Sequence, residues 1–433
     1  MTTRLQRREF VKISTLAGAG YWLGASPARA ANSANEKLNI AVIGVGGRGG
    51  QNLSGVSGEN IVALCDVDDQ RAGGAFQRFP NAKKFYDYRK MFDAMEGDID
   101  AVVVSTPDHT HFHPALAALQ RDKHLYLEKP MAHNVWECRV LTDLARKKKL
   151  ATQLGVQRHT LNSVRQAVEL IRAGAIGTVT DCHSWIDSRR GLPATPQEFP
   201  PVPDHLQWDL WMGPTAERKY SPAYCPYNWR FWWDYGTGET GNWGCHILDI
   251  PFWALGLVYP TRVDASGPSV DEQRTPQELS SRLAFPALGD RPAVTLHWYQ
   301  SKGGPPALKE LGVSGRGFNT LFVGSDGMLL AGFGSVKLLP QEKFKDYKMP
   351  DSTLPKSPGF YREWTAACRG GDPATCQFDY SGPMAETVLL ANVAYRAGGG
   401  FDWDAATLTA SNNPQAQALI REPYRKGWEV DVA

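Results

Sequence analysis

The sequence predicts an α/β fold, in which a domain with a doubly wound parallel sheet precedes an α+β domain with a large, mostly antiparallel open sheet. Between 38 and 157, short apolar runs alternate strictly with amphipathic helical stretches. This alternation is typical of parallel strands joined by crossover helices. Beyond 257, strand-like runs such as RLAFPA, AVTLHWYQ and NTLFVGS follow one another, which favours antiparallel pairing.

The N-terminal segment 1–30 has the pattern of a twin-arginine export signal. Arg7 and Arg8 precede a run over 13–24 that is rich in Gly and Ala and too short to span a bilayer stably. Residues 28–30, Ala-Arg-Ala, supply a small-x-small cleavage site. We therefore expect export to the periplasm or beyond, with the twin-arginine machinery as a partner and with 1–30 removed.

Charge and length limit the classes of function. The chain has a formal charge of +2, and segment 1–30 holds five basic residues and one acidic residue, so the exported part carries −2. Such a near-neutral chain gives no electrostatic basis for binding nucleic acid or an anionic membrane. The remaining roughly 400 residues are enough for two domains, which we place at 31–157 and 158–433.

The seven cysteines indicate packing rather than metal binding or redox chemistry. Most lie within apolar runs, and the chain has no C-x-x-C pair. Cys368 and Cys376 flank the loop RGGDPAT and are spaced for a disulfide in an oxidising compartment.

A glycine motif after the first predicted strand indicates a dinucleotide-binding (Rossmann) domain. Gly44, Gly46 and Gly49 form G-x-G-x-x-G before a predicted helix, and Gly47 and Arg48 lie within the motif. Glycines here permit a tight turn and close approach of the backbone to a pyrophosphate, which the helix N-terminus then binds.

An acidic residue at the end of the second strand favours one cofactor. Asp66 is placed to accept hydrogen bonds from both ribose hydroxyls and to repel a 2′-phosphate, which favours NAD. Arg48 could soften this preference, so NADP stays open.

The segment STPDHTHFH follows a strand at the edge of the sheet where ligands of such folds bind. We therefore expect this segment to lie close to the bound ligand, and we place His109 in the cofactor site. The alternation with His113 does not predict a metal site, because a strand gives way to a helix here and no carboxylates complete a ligand shell.

Glu128 and Lys129 end the fifth strand of the first domain, in the segment LYLEKP. A lysine at this edge, beside a bound nicotinamide, is well placed to act as a general base or acid, because burial and a nearby cation both lower its pKa. The alternative is an ordinary surface lysine. We favour the catalytic role and place Glu128 in the cofactor site.

A second candidate for catalysis is a glycine-rich segment that leads into a helix. Asn242, His246 and Asp249 follow at spacings of four and three, which places them near one helical face. A histidine there can share a proton with Lys129 and bind a substrate hydroxyl. The alternative is a satisfied core histidine.

The segment CPYNWRFWWDY lies in a long region rich in Pro and Trp, over 188–235. Aromatic rings can cover the apolar faces of a sugar while arginine and amides bind its hydroxyls. We expect substrate contacts from this segment, with core packing as an equal alternative; the candidates are Trp229, Arg230, Trp232 and Tyr235, with Asp234 beside them.

Together these motifs carry a family resemblance. The glycine motif, TPDHTH, EKP, VQR and the later G-x-H segment resemble the glucose-fructose oxidoreductase/inositol dehydrogenase (Gfo/Idh/MocA) family. The resemblance implies that Lys129 and His246 are the catalytic lysine and histidine and that Thr106, Pro107 and His111 line the cofactor. In VQR, we place Gln157 in the cofactor site and Arg158 in the substrate site.

The chain departs from the family at one position. The family often has an aspartate four residues before the histidine, where this sequence has Asn242. An amide can orient His246 but cannot take up a proton, and either Asp249 or Glu239 could substitute. The resemblance also implies that the open sheet supports a homo-oligomer, a dimer or tetramer.

Export and a soluble cofactor together restrict the chemistry. Free NAD(H) is scarce outside the cytoplasm, so we expect a tightly held cofactor that returns to its starting state in each cycle. Two reactions on a carbohydrate meet this condition. One is sugar oxidation balanced by reduction of a second carbonyl substrate, and the other is glycoside cleavage by transient C3 oxidation, elimination and hydration. A non-catalytic sensor is a third hypothesis.

Overall fold

A computed structural model describes residues 37–432. The export signal predicted at 1–30 lies outside the described residues. Within 37–432, no helix is both long enough and apolar enough to cross a membrane.

The first sheet has six parallel strands in the order β3-β2-β1-β4-β5-β6. The strands are β1 (Asn39–Ile43), β2 (Asn60–Cys65), β3 (Lys83–Phe85), β4 (Ala101–Val104), β5 (His124–Leu127) and β6 (Thr152–Leu154). Strands β1 and β4 are buried almost throughout, as expected when helices cover both faces. The strand order reverses between β1 and β4, where doubly wound sheets bind their ligands. The predicted parallel domain is confirmed.

Five helices accompany this sheet: α1 (Arg48–Gly55), α2 (Asp69–Arg78), α3 (Tyr88–Met95), α4 (Phe112–Gln120) and α5 (Val135–Lys148). Side-chain caps fix where several of them begin. Asn134 and Glu137 form a capping box at the start of α5, which satisfies two backbone N–H groups that a helix start leaves unpaired.

The second sheet has nine strands in the order β13-β12-β11-β7-β10-β9-β8-β14-β15. Its strands are β7 (Val179–Ile186), β8 (Arg262–Ser266), β9 (Leu279–Phe285), β10 (Val294–Gln300), β11 (Thr320–Gly324), β12 (Met328–Ala331), β13 (Val336–Leu339), β14 (Phe401–Asp404) and β15 (Thr409–Ser411). Among the described strands of this second sheet, only β7 and β10 pair in parallel. Burial alternates along β9 and β10, so one face is covered and the other is more open. The predicted second sheet is confirmed.

The remaining helices are α6 (Asn162–Arg172), α7 (Trp208–Met212), α8 (Gly238–Ile247), α9 (Asp249–Leu255), α10 (Pro306–Glu310), α11 (Phe360–Cys368), α12 (Phe378–Arg396) and α13 (Pro414–Ile420). Helix α12 returns to the first sheet and packs on α5. Arg139 of α5 donates two hydrogen bonds to the buried carboxylate of Glu386 in α12. The chain beyond 157 therefore completes the packing of the first sheet.

The disulfide predicted between Cys368 and Cys376 is absent, since both are free, buried thiols. Cys368 ends α11, whereas the backbone of Cys376 is anchored to β6 through Leu154 and the side chain of Gln153. Proximity in sequence therefore does not bring the two sulfurs together. Burial raises the pKa of both thiols well above the ordinary range, which keeps them protonated.

Candidate active site

A cavity of about 520 Å³ lies at the carboxyl ends of β1, β2, β4 and β5. Its other wall comes from α8 and from the Pro- and Trp-rich segment. The cavity therefore brings together the glycine motif, the segments TPDHTH and EKP, and the G-x-H helix. These motifs are up to 200 residues apart in the sequence, between Gly46 and His246.

Gly44 and Gly49 hold the glycine turn in a shape that no other residue fits. Gly44 has φ +79°, and a Cβ there would lie 2.7 Å from the backbone of Ser105. A Cβ on Gly49 would lie 1.9 Å from the carbonyl oxygen of Gly44. Gly49 itself does not line the cavity, whereas Gly44, Gly46, Gly47 and Arg48 do. The bare backbone forms a cradle that fits a cofactor pyrophosphate.

Asp66 connects the end of β2 to this turn. Its carboxylate accepts hydrogen bonds from the backbone N–H of Val45 at 2.8 Å, of Gly46 at 3.3 Å and of Asp68 at 3.1 Å. Burial raises the pKa of Asp66, although these donors act against the rise. Asp66 lines the cavity at the position where ribose hydroxyls bind in this type of domain.

The three alternating histidines have different roles. The ring of His111 lines the cavity, with Nδ1 2.6 Å from the carbonyl oxygen of Pro130 and Nε2 2.8 Å from that of Thr106. Thr106 and Pro107 also line it. His113 contacts the carbonyl oxygen of Trp428. The three rings are thus held by separate backbone groups.

The prediction that His109 binds the cofactor is wrong. Its ring is buried outside the cavity, with its nitrogens 3.1 Å from the carbonyl oxygen of Tyr235 and 2.8 Å from that of Trp211. Burial lowers the pKa of His109 to about 3. The short helix Asp108–Thr110 turns this side chain away from the cavity and toward the second half of the chain.

Glu128 is a buried carboxylate between the cavity and the first domain's core. It accepts hydrogen bonds from the side-chain amides of Asn52 and Gln157 and from the backbone N–H of Lys129. Gln157 does not line the cavity, so it acts on the site through Glu128. A Cβ on Gly155 would lie 2.7 Å from this carboxylate, which explains the glycine in the LGVQ segment.

The Lys129 amine lies in the part of the cavity that Asn242 and His246 also line, which we call the chemical end. Its Nζ donates to the side-chain oxygen of Asn242 at 2.9 Å and to the backbone oxygen of that residue at 2.8 Å. Desolvation lowers the pKa of Lys129, although the nearby Glu128 and Asp108 oppose this effect. A lower pKa makes the neutral amine, which can accept a proton, more accessible.

Asn242 connects the lysine to an ion pair between the buried Glu239 and the partly exposed Arg190. Its side-chain nitrogen donates to Glu239 at 3.1 Å, and Glu239 accepts hydrogen bonds from the guanidinium of Arg190. Glu239 is fully buried and does not line the cavity. Of the two carboxylates that the sequence offered as partners, Glu239 is therefore the one that contacts Asn242.

The prediction that Asp249 belongs to the catalytic face is wrong. Helix α8 ends at Ile247 and a new helix begins at Asp249, so the spacing rule for one continuous helix does not hold. Its carboxylate accepts from His159 at 2.9 Å and Tyr380 at 2.6 Å, outside the cavity. His159, Asp249 and Cys376 form a buried group whose potential metal-ligand atoms lie within 4.8 Å of one another. The hydrogen bonds from His159 and Tyr380 already use the Asp249 carboxylate.

His246 lines the cavity as predicted, one helical turn after Asn242. Its Nδ1 is buried and has no hydrogen-bond partner. Desolvation lowers the pKa of His246 well below the ordinary value, and the positive charges of Lys129 and Arg158 add to the effect. The imidazole is therefore neutral and can accept or donate one hydrogen bond to a ligand.

The aromatic segment divides between the cavity and the core. Trp229 and Arg230 line the cavity, and so does Arg158. Trp232 and Tyr235 are fully buried in an aromatic core cluster, so the prediction that they bind substrate is wrong. The Trp232 indole N–H donates to the carbonyl of Ala223, which satisfies it inside the protein.

Asp234, named beside the aromatic candidates, forms an ion pair with Arg218 and does not reach the cavity.

Several residues lining the cavity were not predicted as site residues. The additional lining residues include Arg71, Asp108, Arg190, Trp211, Tyr227, Trp243 and Trp428. Asp108 within TPDHTH, Tyr227 within CPYNWRFWWDY and Trp243 beside the G-x-H motif lie in segments that carried a local signal. Trp428 comes from the C-terminal segment, which has no motif that places it at this site.

Fold and site together define a dinucleotide-dependent oxidoreductase architecture. The family model described as "Oxidoreductase family, NAD-binding Rossmann fold" (Gfo/Idh/MocA) matches residues 38–156. The model of the same family's C-terminal alpha/beta domain matches residues 175–275. The chain therefore belongs to the Gfo/Idh/MocA oxidoreductase family, and its first domain is an NAD-binding domain.

Curated relatives are similar over part of their length. A glycosyl hydrolase family 109 protein of Solibacter usitatus is 30% identical over 203 residues, 41% of this chain and 44% of the relative. An inositol 2-dehydrogenase of Rubrobacter xylanophilus is 32% identical over 160 residues, 35% of this chain and 44% of the relative. The chain thus spans less than half the length of these relatives.

A solved structure shares the overall fold. The WlbA dehydrogenase of Bordetella pertussis, crystallised with NADH and UDP-GlcNAcA, superposes with a TM-score of 0.60. The match has 16% identity and covers 85% of this chain and 99% of that one. This similarity establishes the fold across both sheets.

Proposed function

We propose that this protein is an NAD-dependent oxidoreductase that oxidises a hydroxyl of a sugar or glycoside. One observation carries the proposal: the desolvated amine of Lys129 and the neutral ring of His246 line the same cavity as the glycine cradle. A proton acceptor, a hydrogen-bonding imidazole and a nicotinamide site are what removal of a hydride from a carbinol requires.

The residues of the chain divide the work as follows. NAD, when bound, supplies the hydride acceptor. Lys129 takes the proton of the substrate hydroxyl, while Asn242 holds the amine by two hydrogen bonds. His246 orients the same hydroxyl through a ring nitrogen, and the pair of Glu239 and Arg190 fixes the amide of Asn242.

The export pattern at 1–30 supports a periplasmic location with a tightly held cofactor. Proteins on the twin-arginine route cross the membrane folded, so NAD would be loaded in the cytoplasm. A second carbonyl substrate then takes the hydride back, and the cofactor never needs to leave. NADP is disfavoured by Asp66 at the ribose position. We also propose a homo-oligomer, on the strength of the family resemblance.

Glycoside hydrolysis is the second candidate, favoured by the similarity to a family 109 glycosyl hydrolase. Transient oxidation at C3 acidifies the C2 proton, so the aglycone leaves by elimination; water then adds, and the hydride returns to the sugar. The same lysine serves the first step. This reaction cleaves a glycosidic bond without net redox change, whereas the first yields one oxidised and one reduced sugar.

The test begins with protein purified without added nucleotide. Denaturation and mass spectrometry of the released nucleotide should give NAD(H) in stoichiometric amount. The loaded protein is then incubated with free sugars and glycosides, and the products are separated. We expect Lys129→Ala to lower turnover by about 10²–10⁴-fold, the usual contribution of a positioned base. Turnover that is unchanged in Lys129→Ala would refute the role of Lys129 as the base, whereas no turnover of any sugar or glycoside by the loaded protein would refute the enzymatic proposal and leave the sensor hypothesis.

A further inference from the structure

Arg158 lies at the chemical end of the cavity without a carboxylate partner. Its guanidinium carbon lies 4.2 Å from the ring centre of Phe333 and 5.1 Å from that of Trp243. Among residues 37–432, no acidic side chain lies within ion-pair distance of it, and the charge that most affects it is that of Arg48. The guanidinium is therefore held by aromatic faces.

Arg230, which also lines the cavity, is held in the same way. Its guanidinium carbon lies 4.2 Å from the ring centre of Trp229 and 4.7 Å from that of Tyr227. One N–H donates to the backbone carbonyl of Tyr227 at 3.1 Å. In the described part of the chain, no carboxylate lies within ion-pair distance of Arg230 either.

Both guanidinium groups lie near the groups that would do the chemistry. The charge of Arg230 lowers the pKa of Lys129, and the charge of Arg158 lowers that of His246. Desolvation lowers the pKa of each arginine as well. The charge of Asp108 opposes this effect at Arg230. Two cations thus act on the groups of the proposed reaction centre in partly dry surroundings.

Two other partly buried guanidinium groups of the described chain have acidic partners. Arg190, at the same cavity, is paired with Glu239, and Arg139 with Glu386. Stacking on a ring uses the flat face of a guanidinium and leaves its in-plane N–H donors available. At Arg158 those donors have no partner, and at Arg230 only one has.

We propose that Arg158 and Arg230 bind an anionic group of the substrate, so that the natural substrate is a sugar bearing a carboxylate, phosphate or sulfate. The proposal rests on the proposed function, in that the cavity holds a sugar. Charge-assisted hydrogen bonds from planar guanidinium donors match the oxygens of such groups. A neutral sugar would leave the two desolvated charges unpaired, which costs binding free energy.

The test uses the full exported chain loaded with NAD and compares matched sugars by isothermal titration calorimetry. The pairs are glucose with glucuronate, galactose with galacturonate and mannose with mannuronate, each extended by the sugar 6-phosphate and 6-sulfate. We expect at least one anionic sugar to bind about tenfold or more tightly than its neutral partner. The anionic sugar that binds most tightly identifies the preferred group as a carboxylate, a phosphate or a sulfate.

Variants assign the preference to the two side chains. Arg158→Gln and Arg230→Gln should each reduce the preference about tenfold, because each removes charged donors to the anionic group. Arg158→Lys keeps the charge but loses the planar pair of guanidinium donors. Its preference for the anionic sugar should therefore lie between those of wild type and Arg158→Gln. Arg316→Gln, which removes an exposed arginine, is the control for loss of one positive charge.

Three results would overturn the proposal: neutral and anionic partners that bind equally in every pair, a preference that persists in both glutamine variants, or loss of NAD from Arg158→Gln with sugar binding unchanged. The last result would assign the guanidinium to the cofactor. Hydride transfer is measured separately, by the absorbance of reduced nicotinamide. An anionic preference without any hydride transfer would refute the proposed oxidation and leave the binding site standing.

Discussion

At the scale of single residues, the site depends on how a buried amine is held. The Lys129 amine donates a hydrogen bond to the neutral side-chain amide of Asn242. The carboxylate of Glu239 accepts from that amide and is already paired with Arg190. An adjacent carboxylate would favour the charged amine. Asparagine at this position therefore keeps the amine able to accept a proton at lower pH.

This arrangement predicts the direction of a pH shift. If Lys129 is the base, turnover rises with pH as the amine loses its proton. The midpoint of this rising limb of the pH profile lies below the ordinary lysine pKa of 10.5. Asn242→Asp should move the limb upward by about one pH unit or more. The pH profile of kcat/KM measures it, with Asn162→Asp as a control at an exposed helix position. An unmoved limb would exclude Lys129 as the titrating base.

At the scale of elements, the glycine turn is fixed by contacts that leave no room for a side chain. Gly49→Ala places a methyl group 1.9 Å from the carbonyl oxygen of Gly44, so the turn or helix α1 must move. We expect a large loss of bound NAD and destabilisation of about 1–3 kcal/mol. Nucleotide content and urea unfolding measure the two effects.

Gly74→Ala provides the matched control for this substitution. Gly74 lies inside α2, and a Cβ there meets nothing within 4 Å. Alanine at this site should be neutral or stabilise by about 0.5–1 kcal/mol, because it has the higher helix propensity. Equal NAD content in Gly49→Ala and Gly74→Ala would contradict the cradle.

Helix α4 begins with a buried histidine that makes stability depend on pH. Burial lowers the pKa of His113 from 6.5 to about 4, so below pH 6.5 the unfolded chain binds a proton that the folded chain does not. The free energy of unfolding should therefore decrease as pH is lowered from about 6.5 to about 4, by up to about 1.4 kcal/mol per pH unit. His113→Gln should make this slope shallower in urea unfolding, whereas an identical slope would show that other groups cause it.

At the scale of the whole molecule, we propose that the export pattern over 1–30 directs the protein to the periplasm, where the proposed chemistry would take place. Replacing Arg7 and Arg8 with lysine should keep the precursor in the cytoplasm, because the twin-arginine pair is the signal that the route reads. Cell fractionation and mass of the N-terminus measure the outcome, and the wild-type chain should begin at Ala31. Export of the double-lysine chain at wild-type level would refute this route.

The fold of the whole molecule was largely predictable from periodicity. The alternation of apolar runs and helical stretches predicted a parallel sheet, and the later runs predicted a mostly antiparallel sheet; the structure has these as sheets of six and nine strands. The return of α12 to the first sheet could not be predicted, because Glu386 meets Arg139 across 247 residues. Pairing over such a distance leaves no periodic signal in the sequence.

The sequence by itself determined the residues whose role depends on local backbone geometry. Gly44, Asp66 and Lys129 follow strands, His246 lies in the last turn of α8, and all four belong to recognisable motifs and line the cavity. Such motifs fix a side chain relative to its own strand or helix, which is why they can be read without the rest of the chain.

Only the tertiary structure decided which way the remaining side chains face. His109, Trp232, Tyr235 and Asp249 had the right chemistry but are directed into the interior by a short helix, an aromatic core cluster and a helix break. Whether a polar or aromatic side chain meets a ligand or the core depends on which distant segments pack around it. That packing is a property of the folded chain, not of any local stretch.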